Sequence, residues 1–260
     1  MKIKFIGVGA AFAASEHYHS NMLITAESGK RLLLDCGCDA RFSLREAGVD
    51  IYDLPNQINA VYISHLHSDH IGGMEWLAFN TFFHKTPRKI DLYMEKEMMK
   101  EMWDHSLKAG LQYIGDKDMI LSDYFTCHPL KETDTFRWEG ITLTLHKMPH
   151  IVSPENTLFS YGLMIKNDKK NARPLFITTD TTFQEEKMLS ISDQVSTIFH
   201  DCETAAIRTN VHAHYDELKQ LPEPVKAKMW LYHYQPDMMT QPVSDGFIGF
   251  VQKGQEFEFP

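Results

Sequence analysis

ISHLHSDHIGG, residues 63–73, places three histidines and an aspartate within six positions, His65 to His70, where an apolar run stops. Two glycines and another apolar stretch follow. A soluble chain has three reasons to crowd titratable groups at the end of a buried strand: a structural histidine cluster, a solvated loop, or a metal site. In an extended segment, His65 and His67 are two residues apart and their imidazoles project to the same side. Asp69 and His70 follow as the chain turns past Ser68 into a helix expected to begin near Ile71, Gly72 and Gly73, where the glycines permit tight turning and close backbone approach. Neutral imidazole and carboxylate together suit Zn²⁺, with Mn²⁺ or Fe²⁺ less favoured.

Outward from this stretch the same residue types recur where strands end. VYIS leads to His65, LTLHKMP to His150, LFITT to Asp180, TIF to His200 and Asp201, and MWLY to His233. Sites assembled this way collect ligands from several rigid elements at one sheet edge. A lone histidine at a strand end is ordinary packing, but this recurrence is not. The spacing also differs from a zinc-finger layout, where cysteines dominate. A catalytic centre is the favoured reading.

The 260 residues are long enough for a full core, and they read as one domain, 1–260, without a linker, repeat or low-complexity segment. Strand character appears at 2–9, 21–27, 31–37, 58–64, 89–94, 141–148, 161–166, 173–180, 196–203 and 227–234, with helical stretches near 40–48, 73–84, 95–109 and 216–221. Short Ile-, Val- and Leu-rich runs mixed with helices indicate a layered α/β or α+β architecture. The 26 basic against 35 acidic residues give a net charge of −9, which disfavours long nucleic acid. No segment approaches a membrane span, and the N-terminal MKIKF is not signal-like, so no membrane association and a cytoplasmic location are expected. The four cysteines, at 36, 38, 127 and 202, read as small core residues.

The His65-x-His67-x-Asp69-His70 pattern, followed in order by His150, Asp180 and His233, resembles the signature of the metallo-β-lactamase-fold hydrolases. That resemblance implies an αββα sandwich of two mixed β-sheets flanked by helices. FIGVGAAFA (5–13), HSN (19–21), LLLDCG (32–37), LREAGVD (44–50), SYG (160–162) and Asp180-Thr181 resemble the tRNase Z-like phosphodiesterase branch, with His200-Asp201 standing where that branch has His-Glu-Ala-Thr. Two departures stand out: only KNDKKNAR (166–173) occupies the place of the long tRNA-gripping arm, and CDAR (38–41) replaces a glycine-rich turn. FHDCET (199–204), VHAHYDEL (211–218) and KAKMWLYHY (226–234) resemble compact members that hydrolyse cyclic nucleotides, among them the phage anti-Pycsar proteins and their bacterial relatives.

Carried over residue by residue, the resemblance implies two Zn²⁺ per subunit, with Mn²⁺ an alternative. One ion would be held by His65, His67 and His150, the second by Asp69, His70 and His233, and Asp180 would bridge them. It also implies a catalytic acid at His212, with His214 in reserve and Asp201 orienting it, and a small cyclic-nucleotide substrate cleaved to a nucleoside 5′-monophosphate. A tRNA 3′-end endonuclease is the runner-up. The Met- and aromatic-rich region at 74–125 reads first as core and second as a homodimer interface or lid, in which Tyr113 or Phe125 would be placed to stack on a base.

Overall fold

The computed structural model describes residues 1–169, 172–236 and 240–260. Two seven-stranded sheets stack face to face. Strands are numbered here in chain order. The first sheet runs Glu256–Glu258 (β16), Lys2–Phe5 (β1), Met22–Thr25 (β2), Arg31–Leu34 (β3), Ala60–Ile63 (β4), Ile90–Glu95 (β5) and Phe125–Leu130 (β8). The second runs Gly249–Phe250 (β15), Met229–Tyr232 (β14), Thr197–Asp201 (β13), Leu175–Ile177 (β12), Thr157–Asn167 (β11), Ile141–Val152 (β10) and Thr135–Trp138 (β9). A small hairpin, Tyr113–Ile114 (β6) with Lys117–Asp118 (β7), stands apart.

Each sheet is antiparallel in one half and parallel in the other. β3, β4, β5 and β8 are mutually parallel, as are β12, β13, β14 and β15. Alternation along β4 shows how the layers form. Ala60 and Tyr62 enter the core between the sheets, while Val61 and Ile63 enter the core beneath the helices. A strand covered on both faces is a continuous apolar run, which is why AVYI is buried throughout. The helices Ala40–Glu46, Met74–Phe82 and Lys96–Met102 cover the first sheet; Glu185–Ser192 and Tyr215–Leu218 cover the second. The expected αββα sandwich of two mixed sheets is the observed fold.

The differences from expectation have physical causes. β10 and β11 extend to 12 and 11 residues because they form one long hairpin. β8, β9, β15 and β16, which carry no clear strand signal in the sequence, lie at sheet edges: β9, β15 and β16 are short, and β8 (FTCHPL) is interrupted by polar residues and a proline. The helix expected near residue 71 starts earlier, at Ser68, so Asp69 and His70 lie in its single turn. In the 74–125 region, Met74, Met99, Met102, Tyr124 and Phe125 are buried beneath the first sheet, so core packing accounts for most of its apolar bulk. Phe125 has no exposed surface to offer a base, whereas Tyr113 is 63% exposed. Cys36 and Cys202 are buried as expected, but Cys38 is exposed. Among the described residues, no helix is long and apolar enough to cross a membrane.

The glycines of the opening motif act through close approach. A Cβ on Gly37 would sit 2.1 Å from the carbonyl oxygen of Asp69, and one on Gly73 would sit 2.5 Å from that of Gly37. The loop after β3 and the histidine-rich turn therefore touch backbone to backbone. Gly37→Ala is expected to destabilise the fold by about 2 kcal/mol through overpacking, lowering Tm by about 4–8 °C in a thermal melt. A Tm unchanged within error would show that the two loops separate freely.

Candidate metal centre and acid pair

The parallel strands share one direction, so their C-terminal ends line one edge of each sheet, and there the polar residues collect. His65 follows β4 after Ser64, Asp180 follows β12 after Thr178 and Thr179, Asp201 ends β13, and His233 follows β14. His150 differs from expectation. It lies inside β10, at a break in register between Pro149, opposite Phe159, and Ile151, opposite Leu158. Such a bulge turns a side chain that regular alternation would send elsewhere. His200, also expected as a strand-end ligand, is buried outside the cluster, with Nδ1 against the Asp201 carbonyl at 2.6 Å.

Three groups of donors form. His65, His67, His150 and Asp180 converge; so do Asp69, His70, Asp180 and His233; and Asp180, Asp201, His212 and His233 make a third set. The common point is Asp180 Oδ2. It lies 3.7 Å from His65 Nε2, 3.8 Å from His150 Nε2, and 3.3 Å from both His70 Nε2 and His233 Nε2. His67 joins through Nδ1, 3.1 Å from both His65 Nε2 and His150 Nε2. Asp69 Oδ2 is 3.3 Å from His70 Nε2 and 3.8 Å from His233 Nε2. Donors held tetrahedrally at 2.0–2.2 Å around one zinc stand about 3.4 Å apart. The observed separations fit that shell.

The donors also need a partner. His70 Nε2, His233 Nε2 and Asp180 Oδ1 are buried with no hydrogen-bond partner among the described residues. Bare polar atoms facing one another without water are costly unless a cation or proton lies between them. The first two donor sets, with Asp180 common to both, therefore fit a pair of metal ions.

Residues behind the ligands fix their tautomers, a role the sequence reading did not assign. Asp35, at the end of the LLLDCG run, accepts from Ser64 N at 2.7 Å and Ser64 Oγ at 2.8 Å, and faces His70 Nδ1 at 2.8 Å. Ser64 Oγ in turn lies 3.0 Å from His65 Nδ1. The Val211 carbonyl faces His150 Nδ1 at 2.8 Å. With Nδ1–H donated in each case, Nε2 of His65, His70 and His150 points into the cluster. Backbone strain marks the same places: Asp35, Thr179 and His233 are left-handed, with φ of 61°, 54° and 62°. The aspartate in LLLDCG was visible in sequence; its target, 35 residues away, was not.

Electrostatics divides the imidazoles. Burial lowers His65 well below the usual histidine range, lowers His67, and brings His150 and His233 to about 4, so all four are neutral at pH 7. Burial acts the same way on His70, but Asp180, Asp69 and Asp35 together outweigh it and hold it well above the ordinary value. Asp180, despite burial, is kept ionised by the surrounding imidazoles, His233 and His70 foremost.

The third set reads differently. His212 Nδ1 is 2.8 Å from Asp201 Oδ2 and 3.9 Å from Asp180 Oδ2, so it is a donor to Asp201 rather than a metal ligand. Burial pulls His212 down, yet the charge and hydrogen bond of Asp201, with Asp180 and Glu203, raise it to about 9. Thr181 ties this pair to the ligands: its N donates to Asp201 Oδ2 at 2.9 Å and its hydroxyl to the Pro149 carbonyl, beside the bulge, at 3.0 Å. His214 is placed elsewhere. Its Nδ1 accepts from Asp216 N at 3.2 Å, capping the helix Tyr215–Leu218, and its Nε2 faces the Ala205 carbonyl at 3.1 Å. Both ring nitrogens are engaged in local structure.

Comparison with known proteins agrees with this architecture. A family profile described as Anti-Pycsar protein Apyc1 matches residues 1–257. The chain is 33% identical over 262 residues to the anti-Pycsar protein Apyc1 of Paenibacillus xerothermodurans, covering 100% of this chain and 98% of that one. It is 31% identical over 264 residues to the protein of that name from Bacillus phage vB_BveM-Goe7, covering 98% and 97%. Among solved structures, the metallo-β-lactamase fold protein YhfI from Bacillus subtilis superposes with a TM-score of 0.74 at 18% identity over 98% of each chain. The chain thus has the metallo-β-lactamase fold and belongs to the anti-Pycsar Apyc1 family.

Proposed function

We propose that this protein is a metal-dependent phosphodiesterase that opens 3′,5′-cyclic nucleotides, cyclic CMP and UMP first and cyclic AMP and GMP beside them, to nucleoside 5′-monophosphates. Its role would be to remove cyclic-nucleotide signals of antiphage defence. The observation that carries the reading is the seven-donor cluster around Asp180 Oδ2 with the His212–Asp201 pair 3.9 Å away. Family membership supports the substrate class.

We assign two Zn²⁺ to the cluster, with Mn²⁺ the alternative, held by His65, His67 and His150 on one side, by Asp69, His70 and His233 on the other, and by Asp180 between them. When bound, such a pair supplies positive charge against phosphate oxygens and acidifies water. The protein's own groups do the rest. Asp35 and Ser64 hold the imidazoles in register. Asp201 keeps the proton on His212 Nδ1 and stabilises the imidazolium, leaving Nε2–H to protonate the departing 3′ oxygen. His214, engaged as a helix cap, is not assigned this step.

A small substrate is favoured over tRNA. β11 ends at Asn167 and β12 begins at Leu175, an interval with no room for an arm; of it, residues 170 and 171 lie outside the described residues. The net charge of −9 points the same way. A homodimer in the cytoplasm completes the proposal, with exposed Phe83, Tyr113 and Ile120 on the outer part of the 74–125 region available for self-association.

His212→Ala is expected to slow cyclic-nucleotide hydrolysis by about 10²-fold while barely affecting bis(p-nitrophenyl) phosphate, whose leaving group needs no proton. Equal losses on both substrates would remove the acid assignment. Because the acid must be protonated to act, kcat/KM for the cyclic substrate should fall as pH rises through the His212 value. That value is about 9 in the metal-free protein and lower once cations are bound. The nitrophenyl ester should lack this limb.

Metal titration separates the two halves of the cluster. His70 carries a proton in the metal-free protein at pH 7, so loading its site should release about one proton; the neutral His65, His67 and His150 should release about none. Calorimetry in two buffers of different ionisation enthalpy reads this directly. Equal proton release at both steps would contradict the assignment.

A further inference from the structure

Beside His212 lies a recess of about 180 Å³ whose lining includes Phe183, Glu203, Arg208, Asn210 and Glu217. It is smaller than the roughly 300–1,000 Å³ of pockets that enclose a whole ligand, so it takes a fragment of one. Its chemistry narrows which fragment. Glu203 and Glu217 share the recess with Arg208 and His212, so hydrogen-bond donors and acceptors are both present, which suits a neutral group rich in hydroxyls.

Several of the lining groups are already committed. The Glu203 carboxylate, fully buried, accepts from Thr209 N through both oxygens at 3.1 Å. Glu217 Oε2 accepts from His214 N at 3.0 Å. Two groups keep free capacity. Asn210, left-handed with φ of 61°, forms no side-chain hydrogen bond among the described residues. Arg208 makes only an exposed contact, 3.3 Å from Asp216 Oδ2. Asn210 is exposed, but its backbone is held on both sides. Thr209 on one side is pinned by Glu203, and on the other side the Val211 carbonyl faces His150 Nδ1 at 2.8 Å. A backbone fixed in advance limits what the carboxamide must still order on binding.

We propose that this recess is the sugar subsite, and that Asn210 and Arg208 read the ribose 2′-hydroxyl. The inference rests on the cyclic-nucleotide reading above. The oxygen protonated by His212 is O3′, which stays bonded to the ribose, so the sugar must lie against His212. The 2′-hydroxyl is on the adjacent carbon and enters the recess that His212 walls. Phe183 supplies the apolar side of the sugar's contact.

The test compares cyclic CMP with 2′-deoxy cyclic CMP, using the full chain loaded with Zn²⁺. The wild-type protein should prefer the ribonucleotide by about tenfold in kcat/KM, the worth of one to two modest hydrogen bonds. Asn210→Gly removes the carboxamide while keeping the left-handed backbone comfortable; it should cut that preference to about twofold or less, mainly through a higher KM for the ribonucleotide. Arg208→Gln, on an exposed side chain, provides a second variant with the same expected direction. Equal wild-type rates on the two substrates would overturn the assignment, as would variants that slow both by the same factor. A wild-type protein that cleaves bis(p-nitrophenyl) phosphate but neither cyclic nucleotide would sink the substrate reading itself, and the sugar subsite with it.

Discussion

Five imidazoles and two carboxylates aim ring nitrogens and oxygens at a space only a few ångströms across, and most of them are shut away from water. Such an arrangement is unstable by itself. His67 Nδ1 has one hydrogen at most to share between two nitrogens 3.1 Å away, and His233 Nε2 and Asp180 Oδ1 have no partner among the described residues. The rest of the molecule is organised around keeping these groups together despite that cost. Left-handed backbone at Asp35, Thr179 and His233, the backbone contact of Gly37 with Asp69, and the bulge at His150 are all departures from regular geometry at this one place. They persist because two packed sheets over-determine the positions of the loops.

The sandwich supplies that frame through strand direction. β3 and β4 in one sheet, and β12, β13 and β14 in the other, deliver their C-terminal ends to adjoining edges. Each end carries a ligand, a residue that orients one or, on β13, the aspartate that holds His212. The antiparallel halves take no such part except through β10, which must bulge to contribute His150. Open α/β sheets generally bind ligands beyond the carboxyl ends of their parallel strands. Here two such edges meet, and a two-centre cluster is the result.

The electrostatic division within the site is equally physical. Burial keeps His65, His67, His150 and His233 neutral, as ligands must be, while three carboxylates hold a proton on His70 and Asp201 holds one on His212. The same residue type therefore appears in two protonation states within a few ångströms. Local carboxylate geometry, not the global charge of −9, decides which histidine is which.

Much of this was legible in one dimension. The apolar runs and the ligand-type residues at their ends indicate a layered α/β architecture with a metal site, because strand alternation acts on near neighbours in the chain; the sandwich and the set of seven donors are implied by the resemblance of the HxHxDH pattern to the metallo-β-lactamase-fold hydrolases. What the order of residues does not contain is distance between remote segments. That Asp35 orients His70 and Ser64, that Thr181 braces both Asp201 and the Pro149 bulge, and that His212 rather than His214 keeps a free nitrogen are set by packing between elements far apart in sequence. His200 and His233 both close strand-like runs, yet only one enters the cluster. The left-handed turn at His233 aims that ring inward, and a turn of that kind is fixed by the Val8 carbonyl that accepts its backbone N–H across the sheets.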